Sequence, residues 1–131
     1  MKQSLAVSFP GGKKVDVDLD DVKIKTDQPA THGGEGSAPE PFTLFLASLA
    51  SCAGIFALGF CQSREIPTDG LAINLDWDAD DKPPFAARAR FHVTLPQGFP
   101  EKYRSSIIRA IEQCKVKYYI HNPPEFAIEV E

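Results

Sequence analysis

A chain of 131 residues has room for one domain and not for two. With 43% hydrophobic and 24% charged residues it lies outside the regime of disordered chains, so a folded globular protein is expected. Fourteen Lys and Arg stand against 18 Asp and Glu, a net charge of −4, and no basic run exceeds Lys13-Lys14. That excludes an electrostatic grip on nucleic acid or on an anionic membrane surface, and points to small molecules or proteins as partners.

From Leu5 to Phe9 apolar and polar residues alternate, Pro10-Gly11-Gly12-Lys13 marks a turn, and Val15 to Leu19 alternates again. Asp20-Asp21 marks a second reversal into Val22 to Thr26, so the N-terminal third is expected to be a three-stranded antiparallel meander. Asp27 to Glu40, rich in Gly, Pro and Ser, reads as a long loop, and loops of that length without secondary structure tend to be functional.

Between Pro41 and Ser63 there is no charged residue, and Phe42 to Cys61 reads as one long helix opening near a proline. Its length suits a bilayer, but Ser48, Ser51, Cys52, Gly54 and Gly59 lie within it and the chain around it is rich in amphipathic strands, so a buried helix of a soluble protein is expected. A helix apolar on all sides needs more cover than one subunit of this size supplies, which points to a homodimer. Ala47, Ala50, Ser51, Ala53 and Gly54 would let two backbones approach.

Leu71, Ile73, Leu75 and Trp77 share one strand face, a turn follows at Asp80 to Pro84, and Ala87 to Leu95 alternates once more. Glu101 to Cys114 carries Tyr103, Ile107, Ala110, Ile111 and Cys114 at helical spacing. Asn122-Pro123-Pro124 ends helical structure, and Phe126 to Val130 reads as a closing strand. Turns between the strands are too short for parallel crossovers, so the fold class is α+β, a single domain over residues 1–131.

The three cysteines are the candidates for chemistry. With no apolar leader segment in the first thirty residues a reducing cytoplasm is the expected compartment, where thiols are catalytic, metal-bound or plain core residues. Cys52 and Cys61 lie nine residues apart on one helix, roughly 900° of rotation and ~13.5 Å of rise, and cannot bridge each other. A reacting pair must therefore include Cys114. Cys52, Cys61, Cys114, His32, His92 and His121 show none of the paired spacings of a metal site, so no metal is expected; His92 should face solvent on its strand. Spacing alone leaves open whether the thiols react or only fill the core.

The run Gly33-Gly34-Glu35, then Ala38-Pro39-Glu40-Pro41-Phe42-Thr43-Leu44 through Ser51-Cys52-Ala53-Gly54, with Cys114-Lys115-Val116-Lys117 and Pro123-Pro124-Glu125-Phe126, resembles the OsmC/Ohr family of thiol peroxidases and its OsmC-like branches. The resemblance follows the whole chain order. It implies an intertwined homodimer whose strands wrap two central helices. It also implies reduction of hydroperoxides, preferably organic ones, by a peroxidatic Cys52 and a resolving Cys114, recycled by an external dithiol without any cofactor. Two features of the family's peroxidases are missing. An arginine from the N-terminal strands and a glutamate at the start of the long helix hold and activate the thiolate there, whereas the first arginine of this chain is Arg64 and the glutamate position falls at Phe42 or Thr43. Glu35 and Glu40 lie close to it in sequence, and Lys13, Lys14, Lys115 and Lys117 are the available substitute cations. Cys52, about ten residues into its helix, is too deep for that helix's dipole to reach it, so a sluggish thiol is expected. Two further classes stay open: a redox-inactive dimer that binds a small apolar or thiol metabolite, and a thiol-redox or acyl-carrying protein acting on other substrates.

Overall fold

A computed structural model describes all residues, 1–131, and divides the chain into two compact units, Met1–Phe45 and Leu46–Glu131. The first unit is built on β1 (Ala6–Gly11), β2 (Lys14–Leu19) and β3 (Val22–Thr26), an antiparallel sheet in the order β1-β2-β3. Leu19 pairs with Val22, so Asp20 and Asp21 form a two-residue turn. Asp20 takes a φ of 51° there, a left-handed conformation that Asp tolerates better than most residues. The expected meander is present.

The long helix α1 (Pro41–Ser63) begins with proline at its first position, where the missing N–H costs no hydrogen bond. It stops at a left-handed Glu65 (φ 54°), with the Ile66 N–H returning to the Cys61 carbonyl at 2.9 Å. Arg64 seals this end, its guanidinium 3.7 Å from the Phe60 ring centre and donating to the Phe60 carbonyl. Length and composition would let α1 cross a membrane. Within the chain one stripe of it is buried, formed by Leu49, Ala53, Ala57, Phe60 and Cys61. Away from that stripe Ile55 keeps 60% of its surface exposed, so one subunit covers only part of this helix.

The second unit continues with β4 (Ala72–Ala79) and β5 (Ala87–Thr94), an antiparallel pair, and then α2 (Arg104–Glu112). Ile73 and Phe91 from the sheet, and Ile107 and Ile111 from α2, pack against Ala53, Ala57, Phe60 and Cys61 of α1 to form the core. The α+β expectation holds, with two antiparallel sheets and three helices.

Two expectations need correction. The helix expected over Glu101 to Cys114 is a short 3-10 turn (Glu101–Tyr103) followed by α2, and a separate helix α3 (Lys115–His121) comes next. The break is a backbone event at Cys114, whose ψ of 122° leaves the helical region. The closing strand Phe126 to Val130 does not form within the chain. Its alternation is real, yet a strand needs a ladder partner, and Phe126, Ile128 and Val130 stand 87%, 91% and 92% exposed.

Candidate active site

Cys52 sits at mid-length on α1, half-buried, and Cys114 is the buried residue that links α2 to α3. The expected pair is brought together: each thiol lies close enough to shift the other's proton affinity. Cys114 takes the N-cap position of α3, and its side chain makes no capping hydrogen bond. The backbone of Val116 and Lys115 favours the charged form of Cys52, and that of Lys117 and Val116 the charged form of Cys114.

These contacts separate the two thiols. Burial pushes the Cys52 thiol up, but the Val116 amide, the Cys114 hydrogen bond, the Lys115 amide and the positive charge of Lys117 together bring it below the ordinary cysteine value. For Cys114 burial dominates, and the hydrogen bond and negative charge of Cys52 add to it, so its thiol is raised. Of the two thiols, Cys52 is the one that gives up its proton first. The expectation that nothing near Cys52 favours its charged form is corrected: the backbone at the start of α3 does so from outside its own helix. Nothing in local spacing announces this, since the donors belong to a helix distant in sequence. The one available signal was the helical run Tyr118-Tyr119-Ile120 directly behind Cys114-Lys115-Val116-Lys117.

The remaining candidates lie elsewhere. Cys61 is fully buried in the core of α1 and α2, where burial raises its thiol and the nearby Arg64 charge only partly offsets this. His92 pairs with Asp76 at 3.1 Å on the open face of the β4–β5 sheet, solvent-facing as expected. His121 lines a cavity of about 540 Å³ together with Cys114, Lys117 and Tyr118, which gives the cysteine pair a neighbouring open space.

In the first unit the loop after β3 is held by Asp27, a buried carboxylate that accepts from the Ser37 hydroxyl at 2.6 Å and from the amides of Gln28, Glu35 and Ser37. The Ser37 hydroxyl is the main cause holding its pKa at about 2, with the three amides adding to it against the effect of burial. Gly34 is required inside this wrap, because a Cβ there would overlap the Gln28 carbonyl. Glu35, one of the two carboxylates considered for activation, is engaged by Lys14 Nζ at 2.8 Å. The residue that orders this loop, Asp27, was not singled out from the sequence, because a lone acid at the head of a polar loop carries no signal of burial.

A family model described as OsmC-like protein matches residues 34–129. No curated protein sequence matches the chain. Among solved structures, a candidate osmotic-stress-induced and detoxification response protein from Psychrobacter arcticus is 22% identical with a TM-score of 0.75, covering 92% of this chain and 89% of that one. An OsmC-like protein from Mycoplasma pneumoniae is 16% identical, TM-score 0.69, covering 94% and 89%. An organic hydroperoxide resistance protein OsmC from Legionella pneumophila is 20% identical, TM-score 0.62, covering 89% and 88%. At these identities the structures establish a shared fold, and the family match spans most of the sequence and both Cys52 and Cys114: the chain belongs to the OsmC-like family.

Proposed function

We propose that this protein reduces organic hydroperoxides, with Cys52 as the peroxidatic and Cys114 as the resolving cysteine, and is recycled by an external dithiol in the cytoplasm. The observation that carries the reading is the neighbouring Cys52–Cys114 pair with its two thiols shifted in opposite directions. The name of the Legionella pneumophila protein, which shares the fold, agrees with it.

The Cys52 thiolate attacks the terminal oxygen of the hydroperoxide, an S–O bond forms as the O–O bond breaks, and the departing alkoxide takes up a proton to leave as the alcohol. Cys52 is then a sulfenic acid, oxidised by two electrons. Cys114 attacks its sulfur; the hydroxide leaves and combines with the Cys114 proton as water, and a Cys52–Cys114 disulfide remains. A dithiol reduces that disulfide by two exchange steps and is itself oxidised to a disulfide. The starting protonation states suit the order of events, because the lowered thiol attacks first and the raised one keeps its proton until the sulfenic acid appears.

We further propose that the working form is an intertwined homodimer. Ile55 on α1 and the Phe126, Ile128 and Val130 row offer a second copy apolar surface that one chain leaves in water. The catalytic reading is tested by following tert-butyl hydroperoxide consumption with dithiothreitol as the dithiol. Turnover by the wild type and none by Cys52→Ser is the expected result. Consumption no faster than that of free cysteine would favour a dimer that binds a small apolar or thiol metabolite instead.

A further inference from the structure

A disulfide between Cys52 and Cys114 offers a recycling thiol two sulfurs, and their surroundings are unequal. Cys114 lies in the wall of the cavity of about 540 Å³, together with Lys117, Tyr118, His121 and Asn122, and Cys52 lies outside that wall. The volume falls within the roughly 300–1,000 Å³ of small-molecule sites. Cys114 keeps only 1% of its surface exposed, so a nucleophile needs an opening that leads to it, and the cavity provides one. A thiolate attacks a disulfide sulfur in line with the bond it breaks, so an approach that meets Cys114 and not Cys52 is the approach that expels Cys52. The leaving side agrees. Expelled Cys52 carries its negative charge where its surroundings favour the charged form, whereas expelled Cys114 would carry it where burial opposes charge. The thiol of lower proton affinity leaves faster.

We propose that the cavity lined by Cys114, Lys117, Tyr118 and His121 is the docking site of the recycling reductant, a small-molecule dithiol, and that Cys114 is the sulfur it attacks. This rests on the reading of Cys52 and Cys114 as the redox pair, and gives the two sulfurs separate tasks: the hydroperoxide meets Cys52 and the reductant meets Cys114. One thiolate of the dithiol bonds to the Cys114 sulfur, the Cys52–Cys114 bond breaks, and its electron pair leaves on Cys52 as a thiolate. The second thiol of the reductant loses its proton and attacks its own partner sulfur in the mixed disulfide. Cys114 is then expelled and takes up a proton, and the reductant departs as a disulfide, oxidised by the two electrons that the protein has gained.

The experiment starts from full-length protein oxidised with diamide and freed of excess oxidant. A brief pulse of the monothiol 2-mercaptoethanol is quenched with acid, free thiols are alkylated, and the peptides are analysed by mass spectrometry. The mercaptoethanol adduct should sit on Cys114 with Cys52 alkylated as the released thiol; an adduct mainly on Cys52 would overturn the proposal. The cavity is tested by the rate at which dithiothreitol reduces the disulfide. Asn122→Trp, which fills part of the cavity, should slow that reduction roughly three- to tenfold, since exchange rates follow access to the attacked sulfur. Asn122→Ala, which leaves the space open, should not slow it. A rate for Asn122→Trp equal to wild type, or equal slowing in both variants, would overturn the cavity as the way in. Because diamide makes the disulfide, no hydroperoxide is involved: a Cys114 adduct in a protein that fails to consume tert-butyl hydroperoxide would reject the peroxidase reading and keep the docking site. Failure of diamide to form a Cys52–Cys114 disulfide would overturn both.

Discussion

Cys52 and Cys61 occupy the same helix, nine positions apart, with the same side chain and the same apolar neighbourhood in sequence, yet the structure treats them as opposites. Cys61 lies on the stripe that α1 presents to Ile107 and Ile111, meets no hydrogen-bond donor strong enough to offset burial, and is held protonated. Cys52 lies off that stripe and meets a helix N-terminus, a second thiol and a lysine, which reverse the effect of burial. The opposite shifts of the two thiols come from what packs on each, and the residue type or its helix contributes little.

The largest expected effect tests the two sides of α1. Leu49→Glu places an unpaired charge on the buried stripe, a cost of several kcal/mol, and should leave no soluble folded protein. Ile55→Glu, on the exposed side, should preserve the fold of the chain by circular dichroism and abolish the dimer by light scattering; a dimer that tolerates this charge would mean that α1 is not at the interface.

Next come the cysteines themselves. Cys52→Ser should remove hydroperoxide turnover altogether. Cys114→Ser should complete one turnover and then accumulate sulfinic acid on Cys52, since nothing intercepts the sulfenic acid; intact-mass measurement after peroxide would show an added 32 Da, two oxygens. Cys61→Ser should leave turnover unchanged and destabilise the fold by about 1–3 kcal/mol in urea titration, the cost of a hydroxyl in an apolar core. Loss of turnover in Cys61→Ser at full folding would break the contrast between the two positions.

The smallest effect is in pH dependence. A thiol lowered by its surroundings is thiolate at lower pH, so Cys52 should react with iodoacetamide at a pH where Cys61 and Cys114, both raised, are still protonated. Rates that rise together with pH at all three positions would remove the basis for assigning roles.

Much of this was legible in the sequence, and the parts that were not share a cause. The hairpin turns and the uncharged helix follow from local pattern, because alternation and helical spacing are properties of short segments, whereas the choice of Cys52 over Cys61 as the partner of Cys114 came from the family resemblance. The start of α3 is set by one torsion at Cys114, which no glycine or proline announces. The row Phe126, Ile128 and Val130 has the alternation of a strand but no partner within one chain to pair with. The lowering of the Cys52 thiol depends on a helix that only tertiary packing brings near, and the dipole of α1, the one electrostatic source visible locally, gives no sign of it.

The central claim is that Cys52 and Cys114 form the redox pair, and disulfide mapping tests it most directly. Reduced protein is treated with one equivalent of tert-butyl hydroperoxide, alkylated, digested and analysed by mass spectrometry. The expected product is a single Cys52–Cys114 disulfide with Cys61 alkylated as a free thiol. A disulfide that includes Cys61, or three thiols still reduced after the peroxide is added, would contradict it.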